Sequence, residues 1–233
     1  MGKSWKNPMM AANAAKKGAK FTKFAREIQV ATKLGGPDPD INSRLRLAIE
    51  AARAESVTKD TIERAIKKGA GLLDDGAQFE EVVYEGFGPH QVAVIVECQS
   101  DNRNRTSSQI RNIFDKNEGR FGDAVMWMFD RVSLVEATNA EVKDAEEDAI
   151  EVGANEVEKV GDAYRFYGNP EDLKTIETAL GGRGWKITTA ELSYKPKNHT
   201  EIDDEAKKKE VFEFIQMLDD NDDTSRIHAS IDL

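Results

Sequence analysis

The sequence predicts an α+β protein of three domains, a small helical bundle followed by two α+β sandwiches. Three observations predict it. Apolar residues recur at helical spacing as far as Gly71 and in short strand-like runs after it. The charge balance turns over at the same point: residues 1–71 hold 15 Lys and Arg against 7 Asp and Glu, and the remainder holds 18 against 36. Beyond Gly71 the elements read β-β-α-β, then β-α-β-α-β, then α-β, which is the element order of layered α+β folds.

Residues 1–20, rich in Ala, Lys and Asn with weak periodicity, are expected to form an exposed arm or a frayed helix. Phe21, Phe24, Ile28 and Ala31 then mark a helix that Gly35-Gly36-Pro37 ends. Ile41, Leu45, Ala48 and Ala52, with Ile49, draw a second apolar stripe. A third helix begins at Thr58, whose hydroxyl caps free amides; Asp60 and Glu63 suit its positive end, Lys67 and Lys68 its negative end, and Gly69 and Gly71 stop it.

Val82–Tyr84 and Val92–Glu97 are expected as strands joined through Glu85-Gly-Phe-Gly-Pro-His90. A helix follows, capped by Asp101 and facing Ile110, Ile113 and Phe114 inward, and then a strand over Ala124–Phe129. A second unit runs through a strand at Leu134–Glu136, an acidic helix over 141–150, a strand at Ala163–Tyr167, a helix at Glu171–Leu180 and a strand at Ile187–Tyr194. A tail helix from Asp204 to Leu218 and a last strand from Arg226 to Ile231 return to the first sandwich. The expected domains are therefore 1–73, a discontinuous 78–132 plus 200–233, and an inserted 133–199.

Composition narrows the function. The longest apolar run, Val92–Val96, is too short to span a bilayer. The one cysteine, Cys98, excludes an internal disulfide and a zinc cluster, so a cytoplasmic protein with no membrane partner is expected. The basic start is Lys-rich, has a single serine before Thr22 and runs into a patterned helix, which argues against a cleavable targeting segment.

No acidic side chain precedes Glu27, although the whole chain carries a formal net charge of -10. Lys3, Lys6, Lys16, Lys17, Lys20, Lys23 and Arg26 fill that stretch, and Arg44, Arg46, Lys59, Arg64, Lys67 and Lys68 follow on the helices. These are the expected nucleic-acid-binding residues, because Lys and Arg replace counterions along a phosphate backbone. The competing reading is structural: Lys67 and Lys68 answer a helix dipole and the arm is solvated. Asn102, Arg103 and Arg105 at a strand-to-helix junction are secondary phosphate-contact candidates, against a capped helix whose arginines pair with acidic neighbours. Asp219, Asp220, Asp222 and Asp223 lack the glycine and distal glutamate of a calcium loop and read as a solvated acidic turn. His90, His199 and His228 stand too far apart in sequence for a zinc site or triad spacing. No catalytic residue, metal or cofactor is expected, and a monomer is favoured.

Several segments resemble the YebC/PmpR family: Leu34-Gly-Gly-Pro-Asp-Pro-Asp, Arg44-Leu-Arg-Leu-Ala-Ile, Lys59-Asp-Thr-Ile-Glu-Arg-Ala-Ile-Lys-Lys-Gly-Ala-Gly, Tyr84-Glu-Gly-Phe-Gly-Pro, Asp101-Asn-Arg-Asn-Arg-Thr and Trp127-Met-Phe. They run in order from Phe21 to Arg131. The resemblance implies a helical bundle with two ferredoxin-like domains, the first of which is completed by the C-terminus. It implies a non-enzymatic cytoplasmic regulator of transcription that binds DNA. Its mitochondrial relatives are translational activators of cytochrome c oxidase, and bacterial members are connected to ribosomes stalled on proline-rich sequence, so ribosomal RNA is the alternative partner. The chain departs from the family pattern at Gly2–Asn13, which is less basic and contains Pro8, and at Gly122-Asp123-Ala124-Val125, where a glycine-serine stretch is shortened.

Overall fold

The computed structural model describes residues 8–73, 78–139 and 144–231, with side chains from Gly18 onward except Ala19. Three helices open the chain: α1 (Pro8–Gly35), α2 (Ser43–Ala54) and α3 (Lys59–Gly69). From Pro8 onward the stretch expected as an exposed arm or a frayed helix is helix. Proline at a first helical position lacks only an N–H that a helix start leaves unused, and Ala and Lys are strong helix formers. The apolar stripe that marks the rest of α1 is missing there, so periodicity alone does not decide between arm and helix.

Ile28, Ala31, Leu45, Ala48, Ile49, Ala52, Val57, Ile62 and Ala65 form the core of this bundle. Asn42 fixes the corner between α1 and α2. Its Oδ1 accepts the Leu45 N–H at 3.0 Å, and its Nδ2 donates to the carbonyls of Ala31 at 2.8 Å and Gly36 at 2.9 Å. Asn42→Ala removes an N-cap and leaves two carbonyls short of a donor. A loss of about 2 kcal/mol is expected in chemical denaturation, and a loss under about 0.5 kcal/mol would reject that role. Thr58 caps α3 as expected, accepting the Thr61 N–H at 3.3 Å.

Next come β1 (Glu80–Phe87), β2 (Ala93–Ser100), α4 (Arg103–Lys116) and β3 (Arg120–Phe121). They are followed by β4 (Phe129–Thr138), α5 (Ala145–Val152), β5 (Glu156–Val160) and β6 (Ala163–Gly168). Last are α6 (Leu173–Gly182), β7 (Lys186–Pro196), α7 (Glu205–Asp219) and β8 (Thr224–Ala229). Among the described residues the strands form two four-stranded sheets, in the orders β3-β1-β2-β8 and β5-β6-β4-β7. In the second sheet β4 is central and antiparallel to both β6 and β7; Val135 lies opposite Phe166 on one side and Ala190 on the other. The βαββαβ order with β4 and β6 inside is the ferredoxin-like arrangement. Trp185 packs edge-on against Phe166 at 4.9 Å in its core. The fold class is as the sequence predicts: a helical region and two sheet domains of mixed α/β type.

Two local expectations fail. Ala124–Phe129 is not a strand: Met126–Met128 is a single 3-10 turn that feeds the long strand β4. The cause lies forty residues upstream, where one Glu85 carboxylate oxygen accepts the N–H groups of Val125 and Met126, both at 2.7 Å. Asp101 does not cap α4. Asn102 does, accepting the Arg105 N–H at 3.1 Å, while Asp101 accepts from the Arg105 guanidinium at 2.7 Å.

By contact the chain divides into two compact units. One comprises Met1–Val82, Glu97–Ser108 and Leu218–Arg226, and the other the remaining residues. The candidate interface below lies within the first.

Candidate nucleic-acid interface

A groove of about 410 Å³ runs between α1 and α3. Thr22, Ala25, Arg26 and Gln29 line it from α1, Thr61, Arg64, Ala65 and Lys68 from α3, and Phe79 from the segment after α3. Both helical sets follow the i, i+3, i+4, i+7 spacing that keeps side chains on one face. The lining holds three cations, two hydroxyls, an amide and an apolar floor, and no carboxylate.

Arg26 is held most firmly. Its side chain is 14% exposed, and its guanidinium carbon lies 4.8 Å from the centre of the Phe79 ring. One terminal nitrogen donates to Asp223 Oδ1 at 2.8 Å and to the Asp222 carbonyl, and its buried Nε has no hydrogen-bond partner. Asp223, read in sequence as part of a solvated acidic turn, is in fact 2% exposed. Its Oδ2 accepts from Arg105 at 2.7 Å and from the Thr106 hydroxyl at 2.6 Å. Burial alone would raise this carboxyl's pKa. The hydrogen bonds from Thr106 and Arg105 and the charge of Arg26 outweigh it and hold the pKa below the ordinary value. Asp219, Asp220 and Asp222 are exposed, as expected of a solvated turn.

A second network braces α1. The Glu27 carboxylate accepts from Arg44 at 2.7 and 3.2 Å and from the Gln99 amide at 2.5 Å. Arg226 lies 3.7 Å away. Burial pushes the Glu27 pKa up, but Arg44, Arg226 and Gln99 bring it down on balance. Arg44 also donates to Glu81 at 2.6 Å.

The remaining expected residues fall into groups. Lys3 and Lys6 lie outside the described residues, as do the side chains of Lys16 and Lys17. Lys20 pairs with Glu55 at 2.7 Å, Arg46 with Glu50 at 3.6 Å and Lys59 with Glu63 at 3.5 Å. Lys23 donates to the Asp219 carbonyl, and Lys67 is exposed. Arg103 grips Glu80 at 2.5 and 3.0 Å. Asn102 and Arg105 cap and pair as described above. Of the expected set, the structure brings Arg26, Arg64 and Lys68 together on one groove, and pairs Lys20, Arg26, Arg44, Arg46, Lys59, Arg103 and Arg105 with carboxylates. Thr22, Gln29, Thr61 and Phe79 were not expected there. Their signal was available only in part, since the helical spacing of polar residues on α1 matches that of the cations on α3.

Elsewhere Cys98 is a buried core residue, its thiol pushed up to about 12 chiefly by burial. Among the described residues no His, Cys, Asp or Glu side chains gather as a metal site, and no helix is long and apolar enough to cross a membrane.

Two family models match the chain. One, described as the TACO1/YebC protein N-terminal domain, covers residues 3–72, and the other, the TACO1/YebC second and third domain, covers residues 79–231. A probable transcriptional regulatory protein of Bdellovibrio bacteriovorus is 55% identical over 99% of this chain and 100% of its own. One from Desulfotalea psychrophila is 40% identical over 95% and 90%. Among solved structures, a conserved hypothetical protein from Aquifex aeolicus superposes with a TM-score of 0.84 at 42% identity, covering 94% of this chain and 91% of that one.

Proposed function

The chain belongs to the TACO1/YebC family, and from that premise we propose that it is a non-enzymatic, cytoplasmic regulator of transcription that docks on DNA through the groove between α1 and α3. The observation that carries this is the convergence of Arg26, Arg64 and Lys68 on a groove without a carboxylate in its lining. Backbone phosphates enter between the helices, where guanidinium and ammonium groups replace condensed counterions and the Thr22 and Thr61 hydroxyls supply neutral hydrogen bonds. Asp223 positions Arg26 and so fixes one wall of the groove before the partner arrives. The acidic remainder of the chain, with 36 carboxylates against 18 cations beyond Gly71, repels the same polyanion and confines docking to the basic end.

The double substitution Arg64→Glu, Lys68→Glu tests this. Duplex affinity is expected to fall at least ~10-fold at moderate salt, and the slope of log affinity against log salt to flatten by about two. Thermal unfolding serves as the control, since removing Lys68 from the last turn of α3 costs only about 0.3–1 kcal/mol. An unchanged slope in a folded variant rejects the groove. Groove-dependent binding to ribosomal RNA without binding to duplex DNA would move the reading from transcription to translation.

A further inference from the structure

We propose that the Met126–Met128 turn is a stacking platform for one unpaired nucleobase, with Trp127 as the platform and Lys197 as the contact to the adjoining phosphate. This rests on the nucleic-acid reading above but uses a different part of the molecule.

Trp127 is 70% exposed and Met126 beside it 39%. Isolated exposed apolar side chains are ordinary on protein surfaces. What sets Trp127 apart is how firmly the backbone beneath it is fixed. Val125 and Phe129, on either side of the turn, are buried in one cluster with Ala93 and Ile95. Glu85 accepts the N–H groups of Val125 and Met126, and the Met128 N–H bonds to the Val125 carbonyl at 2.8 Å. From the other side, the Lys197 ammonium donates to the Trp127 carbonyl at 3.0 Å, and the Lys197 N–H to the Met128 carbonyl at 2.9 Å. The indole N–H is spent on the Ala124 carbonyl at 3.1 Å. The ring is thus oriented in advance and its polar edge is satisfied internally, so what it offers a partner is its π face. Little entropy remains to be lost on contact.

Lys197 points to the class of partner. An ammonium has three donors. One goes to the Trp127 carbonyl, and a second faces Asp130 at 3.5 Å, longer than a well-formed hydrogen bond. The half-exposed side chain keeps a donor for a phosphate next to the ring. An exposed flat ring with a cation held at the carbonyl of the same residue is a pairing suited to single-stranded nucleic acid, and it tolerates any base because every base has a π face. A duplex keeps its bases inside the stack, so the platform selects unpaired strands.

The test measures affinity for an oligothymidylate and for a duplex of mixed sequence, using the wild type, Trp127→Ala, Trp127→Phe and Lys197→Gln. Trp127→Ala is expected to weaken single-strand binding about ten-fold and leave duplex binding unchanged, with Trp127→Phe restoring most of the loss. Lys197→Gln flattens the single-strand salt slope by about one. Oligothymidylate quenches tryptophan emission in the wild type and does so less in Trp127→Phe. Equal single-strand affinity for wild type and Trp127→Ala overturns the platform, as does duplex binding without single-strand binding. In both cases docking in the groove survives if Arg64→Glu, Lys68→Glu still weakens duplex binding and flattens its salt slope. If the wild type binds neither probe, both readings fail.

Discussion

Asp223→Ala is expected to destabilise the protein by about 3–5 kcal/mol, because it leaves Arg26 and Arg105 facing each other without the buried carboxylate between them. Removing one partner of a buried pair costs far more than the pair contributes, since the remaining charge stays desolvated. The Thr106 hydroxyl loses one of its acceptors as well, keeping the Asn102 carbonyl at 3.2 Å. Urea denaturation of the variant measures the loss, and a value under about 1 kcal/mol would mean that solvent already screens the network. The same carboxylates set the acid limit of stability. Asp223 and Glu27 both have depressed pKa values in the folded state. Their contribution is fully present above the unfolded carboxyl values, about 4, and is lost as the pH falls through the lower folded values. Wild-type stability should therefore decline below about pH 4, and Asp223→Ala should show a shallower decline over that range.

Gly69→Val is expected to cost about 3 kcal/mol and to weaken DNA binding as well. A Cβ at Gly69 would collide with the Gln29 carbonyl oxygen, and would come within 2.7 Å of the Thr32 Cβ. These are atoms of α1, and the carbonyl belongs to a backbone that cannot step aside. Any side chain at Gly69 therefore pushes α3 off α1 and carries Arg64 and Lys68 away from Arg26. Gly69→Ala separates this from simple propensity. Alanine in place of a helical glycine would by itself stabilise by up to about 1 kcal/mol, so a net loss with Gly69→Ala identifies the close approach. A net gain in stability, with DNA binding intact, would show that the two helices tolerate the separation.

The third helix was legible almost entirely: the Thr58 cap, Asp60 in the first turn, Lys67 and Lys68 in the last turn and the glycines that follow are local signals, and they place α3 at Lys59–Gly69. In the second sheet the strands at Ala163–Tyr167 and Ile187–Tyr194 were legible, and the ferredoxin-like arrangement is what the family resemblance implies, but β5 and the two-residue β3 carry no readable signal. Both strands are short, and most of β5 is exposed, so neither carries an apolar run. The basic character of the bundle was legible; which cations share a groove was not. Arg26 and Asp223 meet across 197 positions, and Glu27 and Gln99 across 72, distances that no local pattern spans. The burial of Asp223 inside a run that reads as a solvated acidic turn has the same cause. Trp127 reads as a residue of a strand over Ala124–Phe129 because nothing near it in sequence reveals that Glu85 bends its backbone into a turn.

Hydrogen exchange of the full chain, with and without duplex DNA, decides whether DNA docks in the groove. DNA is expected to slow exchange of amides in the facing turns of α1 and α3, around Thr22–Gln29 and Thr61–Lys68, and to leave β5, β6 and β7 unchanged. Protection confined to those strands, with α1 and α3 exchanging as in the unbound protein, would contradict it.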